Sequence, residues 1–288
     1  LWSFDVVQPA SPPFSATAPA PRCQAFARPA LHWRAAWGLA CVLGLSACGT
    51  SPTQTPEASA PQVATETSPW TRASQPIGEP AATWQAHRFP GKSLTVFSYQ
   101  RLDGRDTLLA QADASASLFR QVLRVPPERL GQLQFSWKVP ALISDADMTR
   151  RDMDDSPVRV LLAFDGDRSK LSTRNAMMSE LARALTGEEM PYATIMYVWS
   201  NSLPRDTVLP SPRTDRIRKI VLESGPSRLG QWLSYERDIR ADYERCYGEP
   251  PGALIGIAIM TDTDNTQSQS QAWYGPVTLR SVGSGTAR

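Results

Sequence analysis

Apolar and polar residues alternate strictly through Leu133-Gln134-Phe135-Ser136-Trp137-Lys138-Val139, the pattern of a strand with one buried and one wet face. Thr95 to Gln100 and Thr107 to Ala112 flank Leu102-Asp103-Gly104-Arg105, and Asp-Gly between two such runs predicts a hairpin turn. Further strands are predicted at Val158 to Phe164, Ala193 to Trp199, Ile217 to Leu222, Leu254 to Met260 and Trp273 to Leu279. Leu254 to Met260 is apolar on both faces, as a central strand covered on both sides must be.

Two stretches change period. From Arg174 to Leu185 a helix is predicted with Met177, Leu181 and Leu185 on its buried face and Gly187 ending it. A second helix gathers Ile239, Tyr243, Cys246 and Tyr247 before Gly248 and two prolines. Many strands, few helices and no regular alternation of the two make the expected fold all-β, a jelly-roll-like β-sandwich. An α+β fold with a mixed sheet is the alternative.

The organisation before residue 84 is different. Arg28, His32 and Arg34 precede an apolar run from Ala35 to Ala47, the layout of a secretory leader and too short for a mature membrane span. Residues 1 to 27, rich in Pro, Ala and Ser, are set aside from fold reasoning. The run ends Leu45-Ser46-Ala47-Cys48, which resembles the lipobox of bacterial lipoproteins, so residues 1–47 read as leader and Cys48 as the lipidated first residue of the mature protein. Gly49 stands where an aspartate commonly retains such proteins at the inner membrane; the resemblance therefore implies a lipid anchor in the outer membrane, facing the periplasm. Residues 48–83, mostly Pro, Thr, Ser, Ala and Gln, read as a flexible tether reaching on the order of 100 Å when extended. Residues 84–280 form the folded domain and 281–288 a tail.

Charge narrows the partners. The 30 basic and 28 acidic residues include Arg22, Arg28, Arg34 and Asp5 of the leader, so the chain from Cys48 onward is balanced. A neutral domain offers no electrostatic case for nucleic acid. Of 4 cysteines, only Cys246 lies past Cys48, so no internal disulfide is expected once Cys48 is acylated, and Cys246 reads as a buried, inert thiol.

Phe135-Ser136-Trp137-Lys138-Val139, Asp154-Asp155-Ser156-Pro157-Val158-Arg159-Val160, Met196-Tyr197-Val198-Trp199, Gly248-Glu249-Pro250-Pro251 and Ile259-Met260-Thr261-Asp262-Thr263-Asp264-Asn265-Thr266 together resemble the domain-of-unknown-function 3047 family of bacterial exported proteins. The resemblance covers roughly Trp84 to Leu279. It implies an exported domain of uncharacterised activity, with a strand order similar to jelly-roll carbohydrate-binding modules, and it supplies no catalytic residues.

Candidate sites come from the residues themselves. Asp262, Asp264 and Asn265 follow the most apolar strand and offer the hard oxygens a structural calcium ion takes, although Gln267 stands where an EF-hand loop needs glycine. Asp165, Asp167 and Arg168 form a second acidic turn, which could share a ligand with the first if the two strand ends are neighbours. Trp199, followed by Ser200 and Asn201, is placed to stack on a sugar while Asn201, Asp165 and Arg168 bond its hydroxyls. The acidic run Asp145, Asp147, Asp152, Asp154 and Asp155 reads as a solvated loop. His87 is the one histidine past Cys48, and no Gly-x-Ser-x-Gly or phosphate loop occurs, which leaves little for nucleophilic catalysis or zinc. The expected function is a non-enzymatic binding module, with a glycan or polar small molecule as ligand and no cofactor beyond possible calcium. A hydrolase working through paired carboxylates and an envelope protein-interaction domain are the alternatives.

Overall fold

A computed structural model describes residues 62–63 and 68–282. The leader and Cys48 lie outside the described residues. Among the described residues fourteen strands form two sheets: β1 (Gln62–Val63), β2 (Gln85–Arg88), β3 (Val96–Leu102), β4 (Arg105–Asp113), β5 (Ser117–Val125), β6 (Gln132–Lys138), β7 (Ser156–Phe164), β8 (Ala193–Ser200), β9 (Val208–Pro210), β10 (Ile217–Ser224), β11 (Trp232–Asp238), β12 (Leu254–Asp262), β13 (Gln269–Tyr274) and β14 (Thr278–Arg280). Sheet I has the order β1-β3-β4-β13-β6-β11, with β14 also on β6; sheet II has the order β2-β5-β12-β7-β8-β10-β9. This is the expected all-β sandwich. Its strands pair antiparallel except β8 with β10, so sheet II carries one parallel step of the mixed sheet named as the alternative.

Alternation builds the core between the sheets. Leu133, Phe135 and Trp137 of β6 point inward and are buried, and Phe135 stacks on Tyr197 of β8 with ring centres 5.5 Å apart. The Asp103-Gly104 turn is formed as its residues require, with φ of 51° and 74°. Sheet II is covered on its outer face as well, by a second apolar cluster containing Met148, Leu161, Met196, Val198 and Met260. That double cover explains the unbroken apolar run of β12, which sits between β5 and β7.

Three sequence expectations need correction. The folded unit begins before Trp84: Ser68 caps a short helix, α1 (Pro69–Ala73), and Trp70 is fully buried with its ring 5.1 Å from that of Trp84. A polar stretch reads as tether when the single aromatic residue that anchors it finds its partner only in the fold. The helix α2 (Thr173–Thr186) exists and ends at a left-handed Gly187, but it buries Asn175, Ser179 and Ala182 and exposes Met177, Leu181 and Leu185. Its contacts are polar: Asn175 bonds Asp215 and Thr214, and Ser179 bonds Arg168. The predicted strand from Trp273 to Leu279 is two strands, parted at Gly275-Pro276. The last helix, α3 (Ile239–Tyr247), buries Ile239, Tyr243 and Cys246 as expected, and burial pushes the Cys246 thiol up to about 12, consistent with inertness.

Candidate functional site: the outer face of sheet II

Strand register lays the outer face of sheet II out in rows. One row runs Arg120, Ala258, Leu161, Met196, Lys219 across β5, β12, β7, β8 and β10. The row before it runs Val122, Gly256, Ala163, Thr194, Ile217. Small residues on β12 and β7 (Gly256, Ala258, Ala163) lie between larger ones on β5 and the chain leaving α2, and they open a groove of about 520 Å³. Its lining is mostly aliphatic, with Leu118, Val122, Leu161 and Ile217 among the contributors. At its rim Arg120 holds Glu188 through two bonds of 2.7 and 2.6 Å. The Nε–H of Arg120 is buried and has no acceptor among the described residues. Beside it His87 is held below its usual pKa by burial and by the positive charge of Arg120, so it is neutral at pH 7.

Further along the same face the apolar rows give way to a buried cluster of charge. Arg159, the outward residue of β7, donates to Asp262 of β12 at 2.7 Å (Nε to Oδ1) and 3.0 Å (Nη2 to Oδ2), and to the Asp154 carbonyl at 2.8 Å. Lys219 of β10 donates to Asp154 Oδ1 at 2.6 Å and to the Met148 carbonyl at 3.2 Å. Asp155 accepts from the backbone N–H and side chain of both Asn265 and Thr266, the closest at 2.7 Å. Lys92 pairs with Asp264 at 2.7 Å, and Arg213 donates to Asn265 Oδ1 at 2.7 Å. Burial pushes the Asp262 carboxyl up to about 7 against the pull of Arg159, while its two acidic neighbours hold the Arg159 guanidinium firmly protonated. Burial also lowers the Lys219 ammonium to about 8, with Asp154 opposing the fall.

Oxygens of Asp155, Asp262 and Asp264 lie within 4.8 Å of one another, the grouping from which a cation site is made. The donors present already fill most of it. Both Asp155 oxygens take two hydrogen bonds each, both Asp262 oxygens take Arg159, and Asp264 takes Lys92. A calcium ion, which needs six to eight oxygens, would have to displace Arg159 from Asp262, Lys92 from Asp264 and the Asn265 and Thr266 donors from Asp155, so the residues fit it poorly.

The tertiary structure redistributes the other candidates. Antiparallel pairing sets Leu254 beside Phe164 and Asp262 beside Ser156, which puts Asp165 and Asp262 at opposite ends of sheet II, roughly 25 Å apart by strand rise. The two acidic turns do not meet. Asp165 pairs with Arg124 at 3.1 Å, Asp167 caps a one-turn 3-10 helix through Ser169, and Arg168 bonds the Met190 carbonyl and Glu189. Trp199 is fully buried and donates to the Gly225 carbonyl at 3.0 Å, so it presents no ring face to a ligand. Asn201 donates to three loop carbonyls, at Ile143, Ser144 and Ala146. These are the contacts of a loop clamp, not of a ligand site.

Sequence reading missed Asp154 and Asp155. They are buried, not solvated, because the loop ending at Ser156 folds onto the turn after β12. A sequence clue existed: Arg159 is the one charged residue in an otherwise largely apolar strand, and a charge in a strand covered on both faces requires a partner.

The fold and the cluster define a class, a two-sheet β-sandwich with a buried, hydrogen-bonded charge cluster set into one sheet. Residues 82–278 match the family model described as "Protein of unknown function (DUF3047)", and the chain belongs to that family. No curated protein matches the chain. Among solved structures, the xyloglucanase domain of NopAA, a type three effector from Sinorhizobium fredii in complex with cellobiose, is similar at 8% identity over 69% of this chain and 98% of that one, with a TM-score of 0.32. At that score the likeness assigns neither a ligand nor a reaction to this chain.

Proposed function

We propose that this chain is a lipid-anchored envelope protein whose domain is a non-enzymatic binding module, and that the groove on sheet II seats an amphiphile with a linear aliphatic body. The observation that carries this reading is the groove itself, about 520 Å³ and lined mostly by aliphatic side chains, which falls in the size range of small-molecule sites. The unpaired Nε–H of Arg120 supplies one buried donor for an acceptor atom on the ligand's head, and a buried donor gains by finding one. Anchoring through Cys48 at the outer membrane, facing the periplasm, would bring such a module close to a supply of acyl chains. Among the described residues no helix is long and apolar enough to cross a membrane.

The hydrolase alternative finds less support. The clustered carboxylates are buried and already hold hydrogen-bond or ion-pair partners, and the cavity beside them is about 20 Å³, room for about one water. A glycan in the groove is also disfavoured, because aliphatic walls offer few flat rings for stacking.

The test is titration of the purified full chain with dodecanoate, read by displacement of anilinonaphthalene sulfonate. Saturable binding is expected. Gly256→Leu fills the trough where an added Cβ meets only ordinary contacts at 3.6 Å, and should weaken binding at least about tenfold with the thermal midpoint kept. No binding by the wild type, or equal binding by the filled variant, overturns the proposal.

A further inference from the structure

Sheet I has an outer face of its own. Trp232 of β11 and Trp273 of β13 are both register partners of Lys138 of β6, so the three side chains form one row on the face opposite the core. The next row along β6 pairs Ser136 with Ser234, and the one after pairs Gln134 with Glu236. With strands about 4.8 Å apart, the two tryptophan Cα atoms stand about 10 Å from each other. Both residues are half-buried.

The indoles are held in place. Trp232 Nε1–H donates to Asp103 Oδ2 at 2.9 Å, Trp273 Nε1–H to Gln100 Oε1 at 2.9 Å, and Lys138 bonds the same Asp103 oxygen at 2.7 Å. Arg105 lies 5.2 Å from the centre of the Trp232 ring. Beside Trp273 the surface is low: Gly275 carries no side chain, and a Cβ there would meet the Ser136 hydroxyl at 2.1 Å.

We infer that this face is a glycan-binding surface, distinct from the groove and independent of the reading given to it. A pyranose presents an apolar C–H face and a rim of hydroxyls. Two fixed indoles in one row supply stacking for two rings of the same chain, and rings already ordered lose little entropy on binding. Lys138, Asp103, Ser136 and Gln134 supply donors and acceptors for the rim. A protein partner would need an apolar centre, whereas the other outward residues of β6 and β11 are Gln132, Gln134, Ser136, Lys138, Ser234, Glu236 and Asp238. Nucleic acid would need an excess of basic side chains, and here Lys138 and Arg105 stand against Asp103 and Glu236.

The full chain is tested with three probes: cellohexaose and chitohexaose by tryptophan fluorescence, and purified peptidoglycan sacculi by co-sedimentation. At least one should bind. Trp232→Ala and Trp273→Ala should each lower affinity about ten- to a hundredfold, and the double variant should show no binding. Ser234→Arg, at an exposed position, covers the platform without touching the core and should lower binding to the same extent; it decides the matter if the tryptophan variants fold poorly. The inference is overturned if none of the three probes binds, if the double variant or Ser234→Arg binds as the wild type does, or if dodecanoate competes with the glycan for one site.

Discussion

Arg159 and Asp262 meet on neighbouring strands of sheet II, with Nε 2.7 Å from Oδ1, and both side chains are almost wholly shielded from water. The pair is the centre of the polar cluster, and its geometry makes each partner depend on the other. Arg159→Met strands a carboxylate in the interior and should cost about 3–5 kcal/mol. Arg159→Met combined with Asp262→Leu removes both charges and should restore much of that loss. Urea melts of the two single variants and the double variant check this; strictly additive losses would show that the two residues do not act as a pair.

Lys219 gives the cluster a pH dependence of known sign. Its ammonium falls from 10.5 to about 8 on folding, with burial as the cause. Between those values the unfolded chain holds a proton that the folded chain has released, so this group's contribution to stability rises with pH across the window. Below about pH 8 it is protonated in both states and the contribution is flat. Lys219→Met should lack the rise. Stability curves of wild type and variant from pH 7.5 to 10.5 that run parallel would contradict the assignment.

Asp262 and Asp264 are paired with Arg159 and Lys92, and both Asp155 oxygens are taken by Asn265 and Thr266, so the expected result is that the group holds without a metal. A chelator should leave the thermal midpoint unchanged, and added calcium should not raise it. Asp264→Ala, by contrast, leaves Lys92 unpaired and should lower the midpoint by several degrees. A midpoint that falls on chelation and recovers with calcium would restore the cation site.

Trp199→Ala should behave as a core deletion. The residue is fully buried and its indole is bonded to Gly225, so the expected loss is about 3–5 kcal/mol. Scanning calorimetry that shows a midpoint close to wild type would return Trp199 to the list of ligand contacts.

Cys48 is expected to carry the lipid. Metabolic labelling with palmitate should mark the wild-type chain and leave Cys48→Ser unlabelled; label retained in the variant would end the lipoprotein reading.

Local chemistry was enough to predict most of the long strands, the Asp103-Gly104 turn, the glycine stops at Gly187 and Gly248, and the burial of Cys246. Each of these depends on a few consecutive residues and the backbone angles or burial they prefer. Strands β1, β2, β5, β9 and β11 were missed; in β5 burial alternates but polarity does not, because Gln121 interrupts the inward apolar row and Leu118 and Val122 stand between Arg120 and Arg124 on the outward one.

Tertiary structure alone decided which loops meet. The antiparallel pairing of β7 with β12 brings Asp154 and Asp155 to Asp262 and Asp264 and carries Asp165 to the far end of the sheet, although both acidic turns look alike in sequence. The buried face of α2 was decided in the same way, by the polar partners Asp215 and Thr214 that long-range folding sets against Asn175. The physical reason is common to both. A side chain's period fixes its direction relative to its own strand or helix, while its partner is fixed by pairing between segments some forty to a hundred residues apart along the chain, and no local preference encodes that pairing.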